Sequence, residues 1–326
     1  MRVPTAVVCL SDGTGITTLT PRSASPATTT TSAVVFPGQG SQRPGMAAAW
    51  ADHPAFVRWS QADGILGRDV TRLGLSAEAD ELREPLNCQV ALYVHHAVLL
   101  DAWRAAGGSA AVAAGHSLGE YSALLAAGVL SFDQGLQLVD LRARATETAA
   151  AQNPGGMVAC LGGDAGALRE ACVEAGAHVA NDNAEGQLVV AGDHDSLRRF
   201  SAVAAGLRAK VRALEVGAAY HSPLMLAAVP LFEPALVAMA FTDGVCPVIA
   251  NVDAAPHVAG ADWPALLRRQ LTAPVRWRES VLTLTAQGTR TIVELGAAAV
   301  LSGLAKRIAP ELQRVAVTAP DDLAAL

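Results

Sequence analysis

Apolar and polar positions along the chain switch between two rhythms. Ala33-Val34-Val35-Phe36 is an unbroken apolar run of strand length, and it stops on the turn residues Pro37-Gly38-Gln39-Gly40. A second run, residues 109–114, is made of small side chains and one valine, and leads into Gly115-His116-Ser117-Leu118-Gly119-Glu120. Beyond each turn the spacing lengthens to that of a helix. Residues 91–103 carry Leu92, His95/His96 and Leu99 in helical register, and residues 121–127 read as a helical run. At about 100° per residue, Phe132, Leu136, Val139, Ala143 and Thr146 form one apolar stripe. Strand, tight glycine turn and helix in succession predict a parallel sheet covered by helices.

Between about Gly156 and Val216 the pattern changes. Residues 157–161, 187–191 and 210–214 read as strands, with helical stretches near 165–175 and 194–205. That order fits a βαββαβ insertion. After Pro223 the alternation of the main body returns. The predicted fold is therefore α/β: a hydrolase-like parallel sheet core over residues 33–153 and 223–326, with an inserted smaller ferredoxin-like α+β subdomain over 154–222. Residues 1–32 differ, because 14–32 are dominated by Thr, Ser, Pro and Ala. Such a segment buries too little apolar surface to order itself and reads as a flexible N-terminal tail.

Composition narrows the function. The 326 residues hold 24 Lys and Arg against 30 Asp and Glu, a net charge of −6. With no long basic run, nucleic acid is excluded as the main partner. The longest uncharged stretch, between Glu215 and Glu233, contains His221, Pro223 and Pro230, so no membrane-spanning helix is expected. Five scattered cysteines without a CxxC pair predict reduced thiols and a cytoplasmic protein. The eight histidines show no ligand spacing, so no metal is expected.

The candidate chemistry lies at Gly115-x-Ser117-x-Gly119, the pattern of a nucleophile elbow. A serine on a sharp strand-to-helix turn needs small neighbours, and the next backbone N–H, Leu118, points where an oxyanion would form at the positive end of the helix. A glycine-rich turn holding an ordinary serine shows the same pattern. A serine nucleophile needs a base. His221, in Ala219-Tyr220-His221-Ser222-Pro223, is the candidate, although a lone histidine also serves as a structural residue. His116 adjoins the serine on the turn and reads as packing support. His53, His95, His96 and His257 lack any comparable setting.

Four blocks stand in one order along the chain: Phe36-Pro37-Gly38-Gln39-Gly40-Ser41-Gln42, Gly115-His116-Ser117-Leu118-Gly119-Glu120, Tyr220-His221-Ser222-Pro223-Leu224-Met225 and Leu301-Ser302-Gly303-Leu304-Ala305-Lys306-Arg307. Together they resemble the malonyl-CoA:acyl-carrier-protein transacylases and the acyltransferase domains of polyketide synthases. The resemblance spans residues 33 to about 310. It implies that Ser117 takes the acyl group from the CoA thioester and that His221 is its base, oriented by a backbone carbonyl in place of an acidic residue. It implies an oxyanion hole from the backbone N–H groups of Gln39 and Leu118, and a malonyl carboxylate bound by Arg142. Gln89, Asn183, Tyr220 and His116 are placed around the substrate pocket. No cofactor is implied, since phosphopantetheine arrives on the carrier protein.

Two positions depart from the family pattern. The residue before the histidine is usually Phe in malonyl-selective members and Ser in methylmalonyl-selective ones; here it is Tyr220, which keeps the bulk and adds a hydroxyl. Gly296-Ala297-Ala298 stands where Gly-Pro-Gly is usual. For Arg142 itself, helical geometry puts the side chain at the edge of the apolar stripe, with Arg144 facing solvent. A guanidinium there needs a carboxylate: that of the substrate, or Asp140, Glu120 or Glu147 in a structural ion pair.

The activity implied is malonyl transfer from malonyl-CoA to an acyl carrier protein, for fatty acid or trans-acting polyketide biosynthesis. The alternatives are the transacylase subunit of a malonate decarboxylase, an acyl hydrolase clearing misloaded carrier proteins, and an inactive docking module. A carrier protein is usually acidic at its recognition helix, so this net-negative chain needs a local basic patch. Arg268, Arg269, Arg276, Arg278, Lys306 and Arg307 are the candidates.

Overall fold

The computed structural model describes residues 31–325. Two sheets organise them. The larger has six strands in the order β10-β9-β1-β2-β7-β8. These are β1 (Thr31–Phe36), β2 (Val112–Gly115), β7 (Val248–Ile249), β8 (Pro256–His257), β9 (Thr289–Leu295) and β10 (Gln313–Val317). All neighbours are parallel except the edge pair β7–β8. Ala33 to Phe36 are buried, as expected for a central strand covered on both faces. Residues 1–30 of the expected tail lie outside the described residues. Its last two residues belong to the sheet: Thr31 pairs with Thr289 and Ser32 with Thr291, so β1 begins two residues before the apolar run. Backbone pairing, which is blind to side-chain polarity, extends the strand.

The smaller sheet holds β3 (Gly156–Leu161), β4 (His178–Ala184), β5 (Gln187–Gly192) and β6 (Lys210–Ala213) in the order β4-β5-β3-β6. Every pairing is antiparallel. With helices Ala165–Glu174 and His194–Gly206 between strands, this is the ferredoxin-like βαββαβ arrangement. Strand β4 carries Asn181-Asp182-Asn183, a polar run that periodicity does not mark as a strand. Asp182 is buried there against Arg169 (2.8 Å) and Arg278 (3.2 Å). Strand β4 also joins the main body: the Asp182 N–H donates to the Val275 carbonyl and the Val275 N–H to that of Ala180, both at 2.9 Å.

Two long helices back the site. Pro85–Ala105 starts on a proline, suited to a first-turn position whose N–H would be unpaired anyway, and is buried through most of its length. Phe132–Gln152 opens with a capping box in which Ser131 and Gln134 satisfy each other's backbone N–H groups. Its apolar stripe packs on Pro85–Ala105. Arg142, at the edge of that stripe on the helical wheel, is nonetheless only 1% exposed, because the elements packed against the helix cover the edge as well.

Candidate active site

Ser117 stands at the end of β2, before helix Gly119–Ala126, with a backbone φ of 52°. The two flanking glycines are required by contact. A Cβ on Gly115 would lie 1.9 Å from the Gly119 backbone, and one on Gly119 would lie 2.0 Å from the Phe36 carbonyl oxygen. The turn after β1 is pressed against the same elbow. The His116 N–H donates to the Phe36 carbonyl at 2.9 Å. A Cβ on Gly38 would come within 2.6 Å of the His116 carbonyl oxygen. Gln39 is thereby held beside Ser117.

His221 also has a left-handed backbone, φ 56°, on the segment that returns from the small sheet. Its Nε2 is 2.7 Å from the Ser117 hydroxyl, and its Nδ1 is 2.8 Å from the backbone carbonyl of Gln270. The carbonyl accepts from Nδ1–H, which leaves Nε2 as the acceptor for the serine proton. Burial, reinforced by the Arg142 charge, pushes its pKa down to about 3. The imidazole is therefore neutral near pH 7, the form a general base needs.

The Ser117 N–H donates to Asn251 Oδ1 at 2.7 Å and is unavailable to an oxyanion. The Leu118 and Gln39 N–H groups have no hydrogen-bond partner among the described residues. Asn251 also donates from Nδ2 to the Gly115 carbonyl at 2.6 Å, pinning both ends of the elbow.

Arg142 lies under the serine. Its Nη2 donates to the Ser117 hydroxyl at 3.2 Å and to Gln270 Oε1 at 3.1 Å, while Nη1 donates to Gln89 Oε1. Among the described residues no carboxylate pairs with it. Asp140 is engaged by Arg68 and Arg144, each at 2.8 Å, and Glu120 by Asn251 and Gln270. The structural ion pair open to Arg142 in the sequence is thus not made. Nearby, Arg142 Nε, Gln89 Nε2 and the hydroxyls of Tyr121 and Tyr220 are buried without a partner among the described residues. Unpaired buried donors are costly, and a bound carboxylate would satisfy several of them.

Gln39, His116, Ser117, Tyr220 and His221 share a cavity of about 80 Å³. It adjoins a cleft of about 460 Å³ between strands β3 to β5 and helix Leu301–Ile308, lined by Asn183, Gln187 and Arg307 among others. His116 and Asn183 meet through Nε2 and Oδ1 at 2.8 Å, tying the elbow to β4. Tyr220 is 6% exposed, and burial pushes its phenol up to about 12, so it stays a neutral donor. Gln89 is fully buried and meets Arg142, away from the cavity wall. Gln270 and Asn251 were not found by sequence reasoning. Neither belongs to one of the four blocks, and only the fold brings them to the serine.

A serine on a strained elbow, a neutral histidine in contact with it, two N–H groups without a partner among the described residues and a cleft form the arrangement of an acyl-group enzyme. The family model for the acyl transferase domain matches residues 33–318. The malonyl CoA-acyl carrier protein transacylase of Escherichia coli (strain K12) is 36% identical over 301 residues, covering 90% of this chain and 97% of that one. Among solved structures, an acyl carrier protein S-malonyltransferase from Vibrio cholerae superposes with a TM-score of 0.86 at 36% identity, covering 90% of this chain and 99% of that one. A malonyl-transacylase in complex with its type II PKS acyl-carrier protein gives 0.87 at 34% identity, covering 90% and 98%. The chain belongs to the acyl transferase domain family.

Proposed function

We propose that this protein moves malonyl groups from malonyl-CoA to the phosphopantetheine thiol of an acyl carrier protein through an ester on Ser117. Arg142 carries the reading: a buried guanidinium 3.2 Å from the nucleophile, held by carboxamide oxygens and lacking a carboxylate. An anionic acyl group supplies that carboxylate through a charge-assisted, bidentate pair.

The steps follow from the contacts. His221 Nε2 takes the Ser117 proton as Oγ attacks the thioester carbonyl, whose oxygen gains its charge against the Leu118 and Gln39 N–H groups. The C–S bond then breaks, and the imidazolium returns its proton to the CoA thiolate. In the second half the carrier thiol gives its proton to His221 and attacks the ester, and Ser117 leaves with that proton. Gln89 orients Arg142, while Asn183 and His116 shape the pocket mouth and Tyr220 its wall. The cleft of about 460 Å³ is where the pantetheine arm enters. The partner brings the phosphopantetheine, so no further cofactor is needed. Among the described residues, Cys88, Cys160, Cys172 and Cys246 are free thiols, which suits a cytoplasmic setting. No described helix is long and apolar enough to cross a membrane.

No observation favours hydrolysis or a docking module over transfer. The test is incubation with radiolabelled malonyl-CoA, with and without holo carrier protein. Label on the carrier supports transfer, and rapid release of free malonate refutes it.

A further inference from the structure

Glu120, three residues after the nucleophile, is 1% exposed. It lines neither the cavity nor the cleft at the serine. One carboxyl oxygen accepts from the Asn251 N–H at 2.6 Å and the other from Gln270 Nε2 at 2.5 Å. Burial pushes this carboxyl up to about 8, against the two donors and the Arg142 charge that favour its ionised form, so the carboxylate is the form present above that pH. Gln270 is fully buried at the end of helix Trp263–Gln270. Its Nε2 also donates to the Ser117 carbonyl at 3.0 Å, and its Oε1 accepts from Arg142 Nη2. A carboxamide has one donating and one accepting end. Two acceptors face the first end here and a guanidinium faces the second, so a single orientation satisfies the set.

We propose that Glu120 is a positioning residue for Arg142: by claiming the donating end of the Gln270 amide, its carboxylate holds the accepting end against the guanidinium. Gln270 acts as a neutral spacer. A carboxylate in direct contact with Arg142 would neutralise the charge that the substrate needs, whereas an amide oxygen orients it and leaves the charge free. The Glu120→Gln exchange reverses the relay. The introduced carboxamide must still offer its oxygen to the Asn251 N–H, so its amino group faces Gln270. Gln270 then either meets that amino group donor to donor, or turns, losing the Ser117 carbonyl and bringing donor against donor at Arg142 Nη2.

The inference rests on the malonyl-transfer reading, and the experiment separates the two. kcat/KM is measured at about pH 9, where the Glu120 carboxyl is ionised, for malonyl-CoA and acetyl-CoA in the full-length wild type, Glu120→Gln, Glu120→Asp, Gln270→Ala and Glu120→Gln/Gln270→Ala. Glu120→Gln should lower the malonyl-to-acetyl ratio about tenfold or more, the worth of one hydrogen bond to a charged group. The fall should sit mainly in KM for malonyl-CoA. With Gln270→Ala already present, adding Glu120→Gln should change the ratio less than about twofold, because the intermediary is gone. Glu120→Asp keeps the charge but withdraws it from Gln270, so it should lower the ratio too, and it decides the matter if Glu120→Gln does not fold. A parallel loss with both thioesters, or an equal effect with and without Gln270, overturns the inference. A wild type that forms no malonyl ester overturns it together with the proposed function. Normal transfer with unchanged ratios in the variants overturns the inference alone.

Discussion

The Ser117 hydroxyl lies 2.7 Å from Nε2 of His221, and both residues hold left-handed backbones, at φ 52° and 56°. Such conformations cost about 1–3 kcal/mol each in a non-glycine residue and persist only where the surroundings enforce them. The glycines around Ser117 enforce the first, and the Gln270 carbonyl receives the second.

His221→Ala should slow acylation of the enzyme by about 10²–10⁴-fold, the usual worth of a positioned general base. The wild-type pH profile provides an independent check. Protonation abolishes the base, and burial has moved that event from the ordinary range near 6.5 to about 3. kcat/KM should therefore stay flat as the pH falls from 7 to 5. An acid limb centred near 6.5, or an acylation rate indifferent to His221→Ala, contradicts this assignment.

Arg142→Ala should cut kcat/KM for malonyl-CoA by at least about ten- to a hundredfold, since hydrogen bonds to charged groups are worth roughly 1.5–3 kcal/mol each. Acetyl-CoA has no carboxylate to lose, so its rate should hold or rise. Arg142→Lys should restore activity only in part, because an ammonium cannot reproduce the planar fork. A parallel fall with both thioesters would make Arg142 a support of the fold.

The elbow glycines give a stability prediction. Gly115→Ala and Gly119→Ala each drive a methyl into backbone at about 2 Å and should leave little folded protein. Gly64→Ala, inside helix Val57–Leu66 with open space around it, should instead stabilise by about 0.5–1 kcal/mol. Thermal unfolding of the three variants checks both signs; elbow variants that melt like the wild type would contradict the packing described.

Ser117 and His221 were legible because tight turns impose residue types on their neighbours, and those types recur as blocks. Arg142 was legible through the resemblance, but its depth was not, since a wheel built on one helix does not see the helix packed against it. Gln270 and Asn251 left no trace, being single carboxamides on remote segments whose meaning arises only when the chain closes. Strand β4 escaped hydrophobic periodicity because Asn181-Asp182-Asn183 is polar and yet buried, its Asp182 compensated by two arginines. The ferredoxin-like order was readable all the same, from the elements on either side.

The basic patch can now be narrowed. Arg268 is paired with Glu233 at 2.9 Å, Arg276 with Glu279, and Arg278 with Asp182. Arg307 lines the cleft, and Lys306 is exposed beside it. Lys306→Glu/Arg307→Glu should raise KM for the carrier protein several-fold more than Arg268→Glu/Arg269→Glu does, and should also raise KM for malonyl-CoA, whose anionic phosphopantetheine arm enters by the same cleft. A larger effect from the Arg268/Arg269 pair would move the docking surface to that helix.

The ester on Ser117 is the centre of the account, and intact-protein mass spectrometry observes it directly. Wild-type protein mixed with malonyl-CoA should gain the mass of one malonyl group. Adding holo carrier protein should remove that mass and place it on the carrier. Ser117→Ala should never gain it. A malonyl adduct that survives in Ser117→Ala, or one that holo carrier protein does not discharge, would contradict the mechanism.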